Sequence, residues 1–511
     1  MSVATTQGIS LTGLEGEIVQ IEVDVSKGLP GYQLLGLPDA ALNEARDRIR
    51  SAINNSGMRW PQTKVTVSLS PAWLPKSGSG FDLPISVAIL SATDQLERRN
   101  FDEMILIGEL SLEGALRPIR GVLPMLLAAA KHGIKKAIVP EQNYQEATLV
   151  SEISVAAAST LVEVLAILSG AALPREIPLM KYDEVPHELD FAEVAGQEDA
   201  KFGLEIAASG GHHVLMMGPP GTGKTMLAER LPTILPHLNE LQSIEVAAIH
   251  SIVGSQRLIH NQFISQFKTP PFVAPHHTTT TVGMVGGGTK QIRPGACSLA
   301  HHGVLFIDEA PECANGILDA LRQPLESGSI EITRAVGSTR FPAGFILVLA
   351  ANPCPCGRFT GKGRACQCSS LQVRRYLHRL SGPLLDRIDL RLNVENPTRE
   401  ALAQSEPRES SAEVRARVTH ARSVAAERFS GLGFALNSEI PSNQLRSRFR
   451  AQTKAMSALH TLMDKEEITA RGFHKLIRIS WTIADLRGIS TPGLAELETA
   501  LNLRSQSERI P

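Results

Sequence analysis

The sequence predicts an α/β protein in which a phosphate-binding parallel-sheet region stands between an alternating strand–helix region and a helical end. Three observations lead there. Residues 1–171 alternate strand-length and helix-length apolar patterns. An apolar run at Val214–Met217 leads straight into a glycine-rich loop and then a helix. Beyond Pro397 the β-branched runs stop and helical periodicity takes over.

At 511 residues the chain suits about three domains. Their boundaries read as 1–171, a proline-bearing linker over 172–189, 190–396, and 397–511. Apolar residues make up 43% and charged ones 20%, which excludes a disordered or fibrous chain. A net charge of -1 excludes a purely electrostatic nucleic-acid coat and leaves room for a local basic face. The longest apolar runs, such as Phe345–Ala351 and Leu83–Ala92, fall short of the ~20 residues of a membrane span. Residues Met1–Leu11 lack a basic stretch followed by an apolar one, so a cytoplasmic protein is expected.

In chain order, Ile18–Val25 alternates as a strand, and Ala41, Ala45, Ile49 and Ile53 mark a helix that Gly57 stops. Lys64–Ser70 reads as a strand, Asp82–Ala92 as a buried helix, Pro124–His132 as a helix and Lys136–Pro140 as a short strand. Among the later elements, Ser327–Phe341 reads as a β-hairpin turning near Gly337, with Arg334 and Arg340 on its arms. Phe345–Ala351 is a buried strand, and Val414–Phe429 and Ile468–Leu486 are helices.

The loop Gly218-Pro219-Pro220-Gly221-Thr222-Gly223-Lys224-Thr225 matches G-x-x-x-x-G-K-T in the strand–loop–helix setting that this motif requires. Its glycines let backbone N–H groups curl around phosphate oxygens, and the helix N-terminus adds its positive end. Lys224 would reach the β- and γ-phosphates, and the Thr225 hydroxyl would ligate Mg²⁺. The apolar strand ending at Asp308-Glu309 would supply a second Mg²⁺ ligand, Asp308, and a general base, Glu309. Asn352, at the end of the next strand, would orient the attacking water; an ordinary turn residue is the alternative.

Two arginines extend the set. Arg387, within SGPLLDRIDL, reads as an arginine-finger candidate at a subunit edge, or as a partner of Asp386 or Asp389. Arg471 opens a helix of the last domain and would close over the γ-phosphate, unless it is simply a solvated helix-start residue.

Of six cysteines, Cys354, Cys356, Cys366 and Cys368 crowd together as two C-x-C pairs. Two thiolate pairs on a glycine-bearing loop suit a closed tetrahedral Zn²⁺ site of structural type, or else four reduced thiols. From Cys354 to Arg391 eight basic residues face two acids, with Tyr376 and His378 interleaved. Such a run could bind phosphates and stack a base, or be a solvated face.

Taken together, these motifs resemble an AAA+ ATPase. Gly196-Gln197, Glu205-Ile-Ala-Ala208, Ala274-Pro-His-His277, Val285-Gly-Gly-Gly288, Arg293-Pro-Gly295, Leu321-Arg-Gln-Pro-Leu-Glu326, Asn352-Pro-Cys-Pro-Cys-Gly357 and Thr482-Ile-Ala-Asp-Leu486 narrow the likeness. Over essentially the whole chain they resemble the YifB/ComM family of magnesium-chelatase-like ATPases. One departure is Ala310-Pro-Glu-Cys313, where relatives more often carry Leu-Pro-Glu-Phe. The N-terminal part, from Ile107-Gly-Glu-Leu110 through Leu126-Leu-Ala-Ala-Ala130 to Val139-Pro140, resembles the proteolytic domain of Lon. Gly80 stands where that domain has its nucleophilic Ser and Leu123 where it has its Lys, although Lys76, Ser77 and Ser79 lie close by.

The resemblance implies an N-terminal Lon-protease-like α/β domain without catalysis, a central AAA+ P-loop ATPase with a parallel sheet, and a C-terminal helical lid. It further implies ATP and Mg²⁺ as cofactors and a homo-oligomeric, hexameric ring whose 327–341 hairpin enters the pore, with the His276–His277 and Gly286–Gly288 loop as a second pore element. Its expected action is on single-stranded or branched DNA, as a branch-migration helicase of recombination and transformation. The alternative is a chelatase-type remodeller of a protein partner.

Overall fold

In a computed structural model the chain is described over residues 2–76, 78–97, 103–175, 177, 189–254, 268–288, 292–314, 316–334, 337–359, 366–403 and 408–505. Most of the linker, Ser77, Lys362, Arg364 and the turn of the 327–341 hairpin lie outside the described residues.

The N-terminal part opens on a four-stranded sheet in the order Ser2–Thr12, Glu15–Ser26, Lys64–Ser70, Gly31–Leu35. The last pair is parallel and the others antiparallel. Alternation in Glu15–Ser26 puts Val19, Ile21 and Val23 inside. Helix Ala40–Asn55 starts where the Asp39 carboxylate accepts the Leu42 N–H at 2.9 Å. Helix Asp82–Ala92 is buried at every position. A three-stranded parallel sheet, Met104–Leu106, Lys136–Pro140 and Ser154–Ala158, completes this part.

Ser2–Thr12 is a strand that the apolar pattern does not reveal. Its buried Thr6 and Ser10 face inward, where their hydroxyls donate to the carbonyls of Pro84 and Pro75, each at 2.9 Å. Polar side chains with internal partners pay no lasting desolvation cost, so they can occupy positions where alternation leads one to expect apolar residues.

The central sheet is all parallel, in the order Phe272–Val273, Val304–Ile307, Ile346–Ala351, Val214–Met217, Leu390–Asn393. Its three middle strands are buried throughout, as expected of a parallel sheet covered on both faces. The lid comprises helices Ser411–Arg428, Thr453–Asp464, Ala470–Leu486 and Leu494–Ser505. It shares one apolar cluster with the sheet, running from Val214 and Leu392 to Ile477, Trp481 and Leu503. One of the motif segments, Glu205-Ile-Ala-Ala208, serves this junction. Glu205 accepts from Arg417 Nε at 2.6 Å, and the Ala208 carbonyl accepts from Arg422 Nε at 2.8 Å.

The N-terminal part is tied to the sheet region rather than hung from it. Helix Val122–Lys131 lays Leu123, Leu126 and Ala129 against Val246, Ala247 and Ala248 of helix Glu240–Val253. Gly121 N–H donates to the Ser251 carbonyl at 3.1 Å, and Ser251 Oγ to the buried Glu146 at 2.6 Å. Leu123, at the position of a Lon-type base, is therefore a fully buried domain contact. The turn at Gly13 packs on Thr339 of the 327–341 hairpin. That hairpin has strands Ser329–Arg334 and Gly337–Pro342, with Ile330, Ile332 and Phe341 buried at its base. No helix among the described residues is long and apolar enough to cross a membrane.

Candidate nucleotide site

Asp308, Glu309, Asn352 and the phosphate loop all follow the C-terminal ends of neighbouring parallel strands, where such sheets bind ligands. Gly221 and Gly223 take φ of 81° and 89°, left-handed values that suit glycine, and they turn the loop into helix Lys224–Ile234. Lys224 is 8% exposed, and its ammonium donates to the carbonyls of Gly218 (2.7 Å) and Pro219 (2.9 Å) and to Asn352 Oδ1 (3.2 Å). Burial pushes the Lys224 pKa down, against the pull of Asp308 and Glu309. A phosphate group offers this partly dehydrated ammonium a stronger, charged acceptor in the same place.

Thr225 Oγ1 donates to Asp308 Oδ2 at 3.0 Å. A hydroxyl and a carboxylate meeting at the loop are the hard oxygen donors that Mg²⁺ takes together with phosphates and water. Gln197 reaches the loop through Nε2, which donates to the Thr222 carbonyl at 2.6 Å. Its Oε1 is buried with no partner among the described residues, an acceptor left open beside the loop. The residues present thus fit a Mg²⁺–nucleotide.

Glu309, at a left-handed φ of 49°, projects beyond the strand and is half exposed. His277 Nδ1 lies 3.7 Å from its carboxylate. Sequence reasoning placed the His276–His277 loop only as a pore candidate. The pairing across 32 positions has no local signal.

Arg387 and Arg471 are brought together, but away from this loop. Strand Leu390–Asn393 runs parallel to Val214–Met217. Its start, with Arg387 just before it, therefore lies at the end of the sheet opposite Gly218. Four residues of strand put about 13 Å between the two levels. Arg387 pairs with Glu326, rather than with Asp386 or Asp389 as expected for a local ion pair. Its Nε is buried with no hydrogen-bond partner among the described residues. Arg471 Nη1 donates to Asp386 Oδ2 at 2.8 Å. The structure thus does not bring Arg471 to the phosphate loop of its own chain: its helix starts against the 386–389 turn, at the far edge of the sheet.

A buried charged group mounts this edge. Asp389 accepts from His212 Nδ1 at 3.1 Å and lies 3.3 Å from Lys475 Nζ, which also donates to the Ile388 carbonyl at 2.7 Å. His212 Nε2 meets Thr482 Oγ1 at 2.8 Å. Against the cost of burial, Lys475 and His212 hold Asp389 far below the usual carboxylate range, while burial lowers Lys475 to about 8. Asp389 and Thr482 belong to the SGPLLDRIDL and Thr482–Leu486 segments, but their meeting with His212 and Lys475 has no local signal.

The basic run divides. Arg374, Arg375, His378 and Arg379 line an exposed groove with Asp319 and Ser381. Arg379 is anchored there on the Pro311 carbonyl at 2.9 Å. Arg387 belongs to the arginine edge instead. Tyr376 does not stack a base: it is 5% exposed and hydrogen-bonds the Asn352 backbone.

The four clustered cysteines converge, with all sulfurs within 4.8 Å of one another. Glu245, His301 and His302 form a second group of possible ligands. There His301 Nδ1 already accepts the Gly344 N–H at 3.0 Å, so its Nε2 carries the proton and faces Glu245 as a donor. In the N-terminal part, Lys76 is fully buried and donates to the Pro71 carbonyl, while Gly80 faces Ile119.

Comparison with known proteins matches three family models: magnesium chelatase, subunit ChlI, over 190–402; subunit ChlI of Mg-chelatase over 21–143; and the ChlI C-terminal region over 408–504. An uncharacterized protein of Mycobacterium tuberculosis is 44% identical over 511 residues, all of both chains. Competence protein ComM of Haemophilus influenzae is 42% identical over 505 residues, 97% of each chain. YifB of Escherichia coli is 40% identical over 509 residues, 99% of this chain and 97% of that one. A partial match, to Lon protease of Geobacter metallireducens, is 25% identical over 177 residues, 32% of this chain and 21% of that one. The chain belongs to the YifB/ComM family of magnesium-chelatase-like AAA+ proteins.

Proposed function

We propose that the chain is a cytoplasmic ATPase that works as a homo-oligomeric, hexameric ring and moves DNA, as a branch-migration helicase of recombination and transformation. The observation that carries this reading is the split of the site. Lys224, Thr225, Asp308, Glu309 and Asn352 gather at one end of the central sheet, and Arg387 and Arg471 at the other. One chain alone cannot bring both sets to a single phosphate. A ring of identical chains, with one chain's arginine edge facing the next chain's loop, can.

In that arrangement the loop N–H groups and Lys224 hold the β- and γ-phosphates. Thr225 and Asp308 would hold Mg²⁺, which neutralises phosphate charge when bound. Glu309 takes the proton of the attacking water, and Asn352 orients that water. The neighbour's Arg387 and Arg471 stabilise the charge on the transferred phosphoryl group. The DNA assignment is supported by the whole-length likeness to a competence protein and by the exposed Arg374, Arg375, His378 and Arg379. The N-terminal part serves as a ring scaffold rather than a protease, since Gly80 and Leu123 offer neither nucleophile nor base.

The test is the steady-state ATPase rate with no DNA, single strands, duplex and a four-way junction, at two salt concentrations, with Lys224→Ala as the blank. Stimulation by single-stranded or branched DNA that fades with salt is the expected result. A rate indifferent to every DNA, in a preparation that forms rings and hydrolyses ATP, would overturn the DNA reading and favour a chelatase-type remodeller with a protein client.

A further inference from the structure

We propose that Cys354, Cys356, Cys366 and Cys368 hold one zinc ion, and that the resulting knuckle braces the phosphate loop through Gly357 and Pro220. The sulfur geometry carries the first half. Cys354 and Cys356 stand 3.4 Å apart, Cys356 and Cys366 3.7 Å, and Cys354 and Cys366 3.6 Å. Four thiolates placed tetrahedrally at ~2.3 Å from a single ion lie ~3.8 Å from one another. A disulfide needs ~2.05 Å, and all six cysteines are free. The Cys368 N–H also points at Cys366 Sγ at 3.4 Å, the kind of outer contact that steadies a metal-bound thiolate. Four soft ligands from the chain select zinc over Mg²⁺ or Ca²⁺ and leave no open position for a reacting water.

The stretch from Cys354 to Cys368 contains one large apolar side chain, Phe359. It cannot order itself by burial, so the free energy of metal binding is what holds its two ends together.

The second half rests on where the knuckle sits. Cys354 is buried and lies two residues after Asn352, whose side chain touches Lys224. Gly357 takes a left-handed φ of 71° and donates its N–H to the Cys354 carbonyl at 2.9 Å. A Cβ at Gly357 would fall 2.5 Å from Pro220 Cδ. The knuckle therefore lies flush against the phosphate loop and closes off one direction in which that loop could open. Zinc is then a prerequisite for tight nucleotide binding although it never touches the nucleotide.

The experiment measures metal content and the affinity for a fluorescent ATP analogue without DNA, so its outcome is independent of the DNA reading. The full-length protein as purified should carry about one zinc per chain. A Cys366→Ser/Cys368→Ser double variant should lose the metal and weaken analogue binding by about tenfold or more. Gly357→Ala should keep the metal and weaken binding too, because it pushes on Pro220 directly. This second variant, together with chelator titration of the wild-type chain, keeps the test open if the double variant does not fold. Zinc well below one per chain, or iron with visible absorbance in its place, would overturn the metal assignment. Unchanged affinity in folded, zinc-free protein would overturn the brace.

Discussion

Arg471 donates to Asp386 at 2.8 Å, and Asp386 immediately precedes Arg387. That contact sets the start of the lid helix and the arginine-finger candidate side by side, on the edge of the sheet that faces away from their own phosphate loop. If both serve a neighbour's nucleotide, Arg387→Ala and Arg471→Ala should bind nucleotide within a few-fold of wild type. Hydrolysis should fall by about 10²-fold or more. Arg387→Ala and the double variant Lys224→Ala/Glu309→Gln should each be nearly inactive alone, but mixed in one ring they should recover hydrolysis, because one supplies an intact loop and the other an intact arginine edge. Equal loss of nucleotide affinity and of turnover in the single arginine variants would count against action between chains.

Asp308 and Glu309 are adjacent but face different tasks, since only Asp308 meets Thr225. Glu309→Gln should still bind ATP and Mg²⁺, with turnover down by about 10²–10⁴-fold. Asp308→Asn should instead raise the Mg²⁺ concentration needed for half-maximal activity. Titrating Mg²⁺ in both variants separates the roles. A shared shift in the Mg²⁺ midpoint would merge them.

The Asp389–Lys475 pair is buried, with His212 as a third member. Asp389→Ala leaves the Lys475 charge without its carboxylate and should cost about 3–5 kcal/mol in chemical denaturation. An Asp389→Leu/Lys475→Met double variant should recover most of that loss, because two apolar groups of similar size carry no unpaired charge. If the double variant is as unstable as the single one, the pair's geometry rather than its charge balance matters.

His213 is held neutral. Burial lowers its pKa to about 4, and its Nδ1 accepts the Leu347 N–H at 3.1 Å. Asp389 pulls the value up, while Lys475 and His212 push it down. The folded value lies below the ordinary ~6.5, so the unfolded chain takes up a proton that the folded one refuses. Stability from this group is complete above pH 6.5 and declines as pH falls from there toward 4. His213→Asn retains an acceptor but does not titrate. It should narrow the difference in unfolding free energy between pH 7.5 and pH 5 by about 1–2 kcal/mol. An unaltered pH dependence would show that His213 is not the responsible group.

Much of the site was legible because its parts are local. Lys224 and Thr225 sit in one contiguous strand–loop–helix, and Asp308, Glu309 and Asn352 each end an uninterrupted apolar strand. The helices with clear periodicity, such as Ala40–Asn55 and Ala470–Leu486, were legible for the same reason. Strand Ser2–Thr12 was not, because Thr6 and Ser10 face the interior with carbonyl partners supplied more than 60 positions away. Nor was the burial of Tyr376 under Asn352, which withdraws an aromatic ring from an otherwise basic run.

The sequence by itself determined which reactive groups the chain carries and which of them share a loop, since backbone connectivity and side-chain periodicity act over a few residues. Only the tertiary structure decided the end of the sheet on which each group stands. Strand order, and with it the separation of Lys224 from Arg387 and the seating of Gly357 on Pro220, follows from burying apolar faces contributed by segments far apart in the chain. No local pattern records that packing.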